Sequence, residues 1–308
     1  MHALIRAGLL AGIVTLLPVA ALAQQTFQVE HEKGVTDVPL DPQRVITISA
    51  LGIEDNLLAL GVVPLAGSTF PAAGNDFYPH LAEILNAADI LKVDGNAPNL
   101  EYVLSLEPDL IIAEGSQRDN YEKLSMIAPT VLHTFDGDWR SMHRKLGVFL
   151  GREAEAEQNI ADLDAIIAPL RDEIQGAIGA QTVLYAIVMD KRIRIQGTSG
   201  HGFNQLVYED LALTPEAHVP TTEVREHITI EGVSALDPDH LFLQVDLQGG
   251  GTEYMAELEA SPVWQNLRAL KDGNVHVVPT GENWLAMAWG ISGREILAHR
   301  IRDALVAE

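Results

Sequence analysis

An αβ unit that occurs twice constrains this chain more than any other feature. Leu100-Glu101-Tyr102-Val103-Leu104-Ser105-Leu106-Glu107-Pro108-Asp109 returns as Ile230-Glu231-Gly232-Val233-Ser234-Ala235-Leu236-Asp237-Pro238-Asp239. The glutamate, valine, leucine, acid, proline and aspartate stay in register. Each copy leads into an apolar strand signal, at 110–113 and 241–245. A repeated helix–Pro-Asp–strand unit in the two halves of a chain points to two similar lobes.

Strand and helix signals alternate around the copies. Arg44-Val45-Ile46-Thr47-Ile48 is a short β-branched run. Residues 53–60 bring Ile53, Leu57, Leu58 and Leu60 toward one helical face, with Gly61 as a stop. Residues 62–66 read as a weaker strand that Pro64 limits to an edge or end. A helix is predicted over 100–106, capped by Asn99 and stopped by Pro108. Another is predicted over 121–128, followed by a strand from Pro129. Short apolar strands alternating with helices mean parallel βαβ units and a sheet covered on both faces. From Ser141 the pattern becomes mostly helical. Ala156, Ile160, Leu163, Ile166, Ile167 and Leu170 recur at helical spacing, and Pro169 predicts a kink or a break there. After Gly176 and Gly179 the alternation resumes, with a buried strand at 182–189, period-two Arg192-Ile193-Arg194-Ile195, and a helix at 203–211. The fold class is α/β: lobe, long helix, lobe.

Met1 to Ala23 has a basic start at Arg6, an apolar run, and Ala21-Leu22-Ala23 before Gln24. That pattern reads as a secretory signal, so the expected division is signal peptide 1–23, N-terminal lobe 24–151, connecting helix 152–175 and C-terminal lobe 176–308. Acidic residues outnumber Lys and Arg 43 to 20, a net charge of −23. Nucleic acid and anionic membrane surfaces are therefore poor partners. There is no cysteine, which excludes disulfides, thiolate chemistry, Cys-ligated metals and lipid-modified cysteine. The expectation is a freely diffusing periplasmic protein.

No nucleophile elbow, Walker loop or His-Glu-x-x-His motif is present, so no catalytic residue is assigned and the chain reads as a non-enzyme. The eleven histidines include no pair at i, i+4, and no metal ligand set is assigned. Gly197-Thr198-Ser199-Gly200-His201-Gly202 before a helix can cradle an anion, though it also reads as an ordinary helix entry. Arg118, Arg192, Arg194 and Arg225 lie near strand ends or in the loops after them, where open α/β sheets hold ligands. Arginine suits planar carboxylate and catecholate-like oxygens. Arg192 and Arg194 share one strand face, and a solvated face accounts for them equally.

Further runs complete a pattern. Asp41-Pro42-Gln43-Arg44-Val45-Ile46, Ile53-Glu54-Asp55 to Leu60-Gly61, the Glu101…Pro108-Asp109 unit and Tyr121-Glu122-Lys123-Leu124 to Ile127-Ala128-Pro129-Thr130 mark the first half. Ser261-Pro262-Val263-Trp264-Gln265-Asn266-Leu267, Asn274-Val275-His276-Val277-Val278 and Trp284 mark the second. In this order the chain resembles the periplasmic substrate-binding proteins of iron–siderophore ABC importers, whose fold vitamin B12 and haem binders share. The resemblance implies two Rossmann-like lobes, one long backbone helix, a ligand cleft between the lobes and little hinge motion. It implies a monomer that takes a ferric siderophore, with iron held by the chelator and no cofactor, and delivers it to a permease dimer. Several family members carry an arginine just after the strand equivalent to 110–113. Here that place is Ser116, and Arg118 follows two residues later. Arg225 and His227 occupy the region of a cleft-facing basic residue, and Trp284 that of a late-loop aromatic, with core packing as its other reading. His201 and His227 are the histidines available to a haem binder. The resemblance also makes Glu101 and Glu231 the glutamates, one per lobe, that dock onto permease arginines. Haem or corrinoid binding stays open, as does an exported α/β hydrolase using His201 and nearby acids.

Overall fold

The repeated Pro-Asp pair has one task, carried out once in each half. Asp109 accepts hydrogen bonds from the backbone N–H groups of Gln43 at 2.7 Å and Arg44 at 2.9 Å. Asp239 accepts from the N–H and the hydroxyl of Thr182, each at 2.8 Å. Each aspartate, at the head of one strand, pins the head of the strand beside it. A computed structural model describes residues 25–70, 76–134, 136–246, 250–279 and 281–306. The expected signal segment lies outside them.

Strands β1 (Thr26–His31) and β2 (Gly34–Pro39) form a hairpin. Then come β3 (Val45–Ile48), β4 (Ala66–Thr69), β5 (Leu91–Asp94), β6 (Leu110–Glu114) and β7 (Thr130–His133). They make a parallel sheet of order β5-β4-β3-β6-β7. The second half supplies β8 (Thr182–Met189), β9 (Arg192–Gln196), β10 (Thr214–Pro215), β11 (Arg225–Ile228), β12 (His240–Val245) and β13 (Val275–Val277). Its order is β11-β9-β8-β12-β13, with β10 also on β8. The fold is α/β with two lobes, as expected, but only the first sheet is wholly parallel. Lys191, in the left-handed region at φ 53°, turns β8 straight back into antiparallel β9, and β11 adds antiparallel to β9.

Other elements differ from expectation for local reasons. No strand forms at 62–64, because the Val62 N–H returns to Leu57 O at 2.8 Å and closes the preceding helix. The first copy of the repeat is an α-helix, Leu100–Ser105, with the Asn99 side chain accepting from the N–H groups of Glu101 and Tyr102. The second is a 3₁₀ turn, Ile230–Ala235. The helix expected at 203–211 is one α turn, Gly202–Asn204, running into a π-helical turn, Gln205–Asp210.

The connecting helix, Glu153–Ile178, is continuous through Pro169. Pro169 lies on the exposed side, as does Ala165, whose carbonyl loses its helical donor. Water can satisfy that carbonyl. Ala156, Ile160, Leu163, Ile167, Leu170, Ile174 and Ile178 form the buried stripe. They belong to one apolar cluster that also holds Val45, Ile53 and Trp139 of the first lobe and Tyr185, Phe242 and Trp289 of the second. A core shared in this way resists large hinge movement. Asp55 of the first lobe strengthens the tie. Its carboxylate accepts from Ser292 N–H (3.1 Å), the Ser292 hydroxyl (2.7 Å) and Gly293 N–H (2.8 Å), capping the helix Ile291–Leu305. No helix among the described residues is long and apolar enough to cross a membrane.

Candidate functional site

The lobes approach each other at the loops that follow their strands. Ala50 after β3, Phe70 after β4 and Tyr78 form one apolar cluster with Ala286 of the second lobe. Gly137, after β7, lies against Gly200, after β9. A Cβ on Gly137, which sits at φ 88°, would fall 3.0 Å from the Gly200 Cα, so this close approach favours glycine at 137. In the first lobe, strand order reverses between β3 and β6, and ligands of open α/β sheets bind at the carboxyl ends beside such a switch point.

Charge pairing singles out one wall of this region. Of thirteen described arginines, nine have a carboxylate within ion-pair distance. Arg44 donates to the Leu106 and Glu107 carbonyls instead. The remaining three are Arg192, Arg194 and Arg225, and among the described residues none of them has a carboxylate partner. Strand register gathers them. Arg194 stands opposite His227, Gln196 opposite Arg225, and Arg192 opposite Met189. Opposed residues share a face, and alternation sends Ile193 and Ile195 to the other face, into the core. The Arg194 Nε donates to Gln196 Oε1 at 2.8 Å, and Gln196 Nε2 donates to Asn204 Oδ1 at 3.1 Å. Asn204 in turn donates to the carbonyls of Ser199 and Val224. The central guanidinium is thus held by a neutral relay that leaves its charge unspent.

The neighbours register that charge. Burial and the like charges of Arg225 and Arg192 pull the Arg194 pKa down to about 10. Burial, then Arg194, Arg225 and Arg294, holds His201 at about 3. Burial, then Arg192, Arg194 and Arg225, lowers His227. Three mutually repelling cations on a chain of net charge −23 concentrate positive charge on one face, to which an anion with several oxygens is complementary.

The structure brings His201, Arg225 and His227 together around Arg194. The His201 Nδ1 accepts from Phe203 N–H at 3.1 Å, and its ring meets Trp289 edge-on at 4.9 Å. Ser116 and Arg118 stand on the other lobe. Ser116 is exposed in the 3₁₀ turn Gly115–Gln117, and Arg118 is ion-paired with Glu32 of the β1–β2 hairpin. Trp284 is buried. It packs on Tyr185 and Phe242 at 6.4 and 5.8 Å and donates to Glu282 at 2.9 Å. Glu101 and Glu231 are both exposed, each in the first turn of its copy of the repeat. Arg192 and Arg194 are the residues that the sequence left open between a ligand-facing position and a solvated strand face. The signal available was their period-two spacing beside a second basic strand. Among the described residues no group of three or more His, Asp or Glu is placed to hold a metal ion.

Two α/β lobes tied by a long helix, with an uncompensated cationic wall where they meet, define a solute-binding protein. The chain belongs to the periplasmic binding protein family, whose model matches residues 49–280. It is 26% identical over 269 residues to a probable siderophore-binding lipoprotein of Bacillus subtilis, covering 83% of this chain and 81% of that one. It is 28% identical over 292 residues to the ferric-anguibactin-binding protein of Vibrio anguillarum, covering 89% and 84%. Its fold matches Staphylococcus aureus SirA, solved with staphyloferrin B, at TM-score 0.76 and 24% identity, covering 91% of this chain and 98% of that one.

Proposed function

We propose that this protein captures a ferric siderophore in the periplasm and delivers it to an ABC importer. The observation that carries the reading is the wall of Arg192, Arg194 and Arg225, three cations with no carboxylate partner among the described residues of a strongly acidic chain. Guanidinium forks bind oxygen-rich anionic chelates bidentately, and the iron stays with the chelator's own oxygens. The relatives named for siderophore and ferric-chelate binding support the ligand class. The chain acts as a monomeric carrier without catalysis or cofactor. The sequence contains no cysteine to carry a lipid, and we read the free periplasmic form as the one that fits. Glu101 and Glu231 present one charge per lobe to a permease dimer, fixing the orientation of docking.

Intrinsic tryptophan fluorescence tests this, because Trp289 touches His201 beside the arginine wall. Titration with ferric siderophores carrying carboxylate or catecholate arms should give saturable changes at micromolar or lower concentration. Saturation by haem or cobalamin alone would replace the reading with a haem or corrinoid carrier.

A further inference from the structure

The first lobe offers the ligand the opposite charge. At the carboxyl end of β6, beside the β3–β6 switch point, stands Glu114. Its Oε2 is anchored, accepting from the Ala50 N–H at 2.6 Å and the Ser49 hydroxyl at 3.2 Å. Its Oε1 has no hydrogen-bond partner among the described residues and is not sealed from solvent. Among the described residues no cation lies within ion-pair distance of this carboxylate. Arg118, the nearest arginine in sequence, is taken by Glu32, and Ser116 contributes no charge. Burial raises the Glu114 pKa, the expected effect on a carboxylate without a counter-ion. Asp94, at the end of β5, is turned into its own loop by the N–H groups of Asn96 and Ala97. Glu114 is therefore the acceptor that the first lobe presents where ligands of such sheets lie, while the second lobe presents arginines.

We propose that Glu114 is a specificity-determining residue whose free oxygen takes a protonated amine of the bound ferric chelate, while the arginines hold its anionic arms. This rests on the ferric-chelate reading above and narrows it. A carboxylate only accepts hydrogen bonds, so it rewards an ammonium and repels a further anionic arm. The ligand class is a chelate with anionic groups at one end and an amine at the other.

Three probes separate the possibilities by fluorescence titration of the full chain. They are the ferric complex of citrate mono-amidated with ethylenediamine, which keeps carboxylates at one end and an ammonium at the other, its N-acetylated form, and amine-free ferric citrate. Wild type should bind the amine form at least tenfold tighter than the N-acetyl form. Glu114→Gln, which keeps an oxygen for Ala50 and Ser49, should abolish that preference and bind ferric citrate several-fold tighter. If Glu114→Gln proves poorly folded, Ser116→Lys sets a cation beside Glu114 from an exposed position and should reduce the preference in the same way. Equal wild-type affinity for the amine and N-acetyl forms overturns the assignment. So does a preference that survives both substitutions, or binding of ferric citrate alone. If none of the three binds, the ferric-chelate reading itself falls, and this inference with it.

Discussion

Asp55→Ala should loosen the tie between the lobes. The Asp55 carboxylate is 3% exposed and accepts three hydrogen bonds at the start of the C-terminal helix. Gly290 is shaped to it, since a Cβ there would lie 2.0 Å from Asp55 Oδ2. Truncation leaves the N–H groups of Ser292 and Gly293 and one hydroxyl without their acceptor. A lost cap costs about 0.5–2 kcal/mol, and stranded buried donors add about 1–3 kcal/mol, so about 3 kcal/mol is expected in all. For a chain of this size that corresponds to a fall in melting temperature of roughly 6–12 °C. Asp55→Asn keeps one acceptor oxygen and should lose only about 1 kcal/mol. Urea unfolding followed by circular dichroism gives both values. An Asp55→Ala protein within about 0.5 kcal/mol of wild type would refute the reasoning that this carboxylate ties the lobes.

Arg225→Ala and Arg194→Gln should each weaken binding of an anionic ferric chelate by roughly 1.5–3 kcal/mol, measured by calorimetric titration with melting temperature as the folding control. Stability should fall in mild acid. Burial holds His143 at about 4 and His133 and His201 at about 3. The unfolded chain therefore takes up their protons first, from pH 6.5 downward. The stability is complete above that pH, is lost progressively below it, and should be down by about 2 kcal/mol per histidine at pH 5, measured as urea midpoints. Glu101→Ala with Glu231→Ala should leave chelate affinity within about twofold while uptake through the importer falls sharply. Full uptake by the double variant would show that these residues do not dock.

Much of the fold was legible because burial writes itself into periodicity. The run at 182–189 is apolar throughout and is a strand buried in the middle of its sheet. Asn99 caps its helix as its residue type requires. The duplicated Pro-Asp marked two lobes because each aspartate pins a neighbouring strand. Long-range partners left no such trace. The β1–β2 hairpin is fixed by contacts such as the Thr36 hydroxyl donating to Thr130 O at 3.1 Å, far away in sequence. The antiparallel β8–β9 return hangs on one left-handed residue, Lys191, which is not a residue type that announces a turn. Pro169 misled because helix breaking depends on which face the proline occupies. At the site, single residues were legible and their company was not. Arg225 and His227 were picked out, but for Arg192 and Arg194 a solvated face was an equal reading until strand register set them beside a second basic strand. Glu114 reads in sequence as the polar end of an apolar strand. Its free oxygen shows only once Ser49 and Ala50 are seen to hold the other.

The most direct measurement of the central claim is calorimetric titration of ferric citrate into wild type and into the triple variant Arg192→Gln, Arg194→Gln, Arg225→Gln. Gln retains polarity and much of the side-chain reach, so the change removes charge and fork geometry. The account predicts saturable wild-type binding that weakens at least a hundredfold in a triple variant whose melting curve stays cooperative. Equal affinity in the two proteins would contradict it, because an anionic ferric chelate would then be held without the arginine wall.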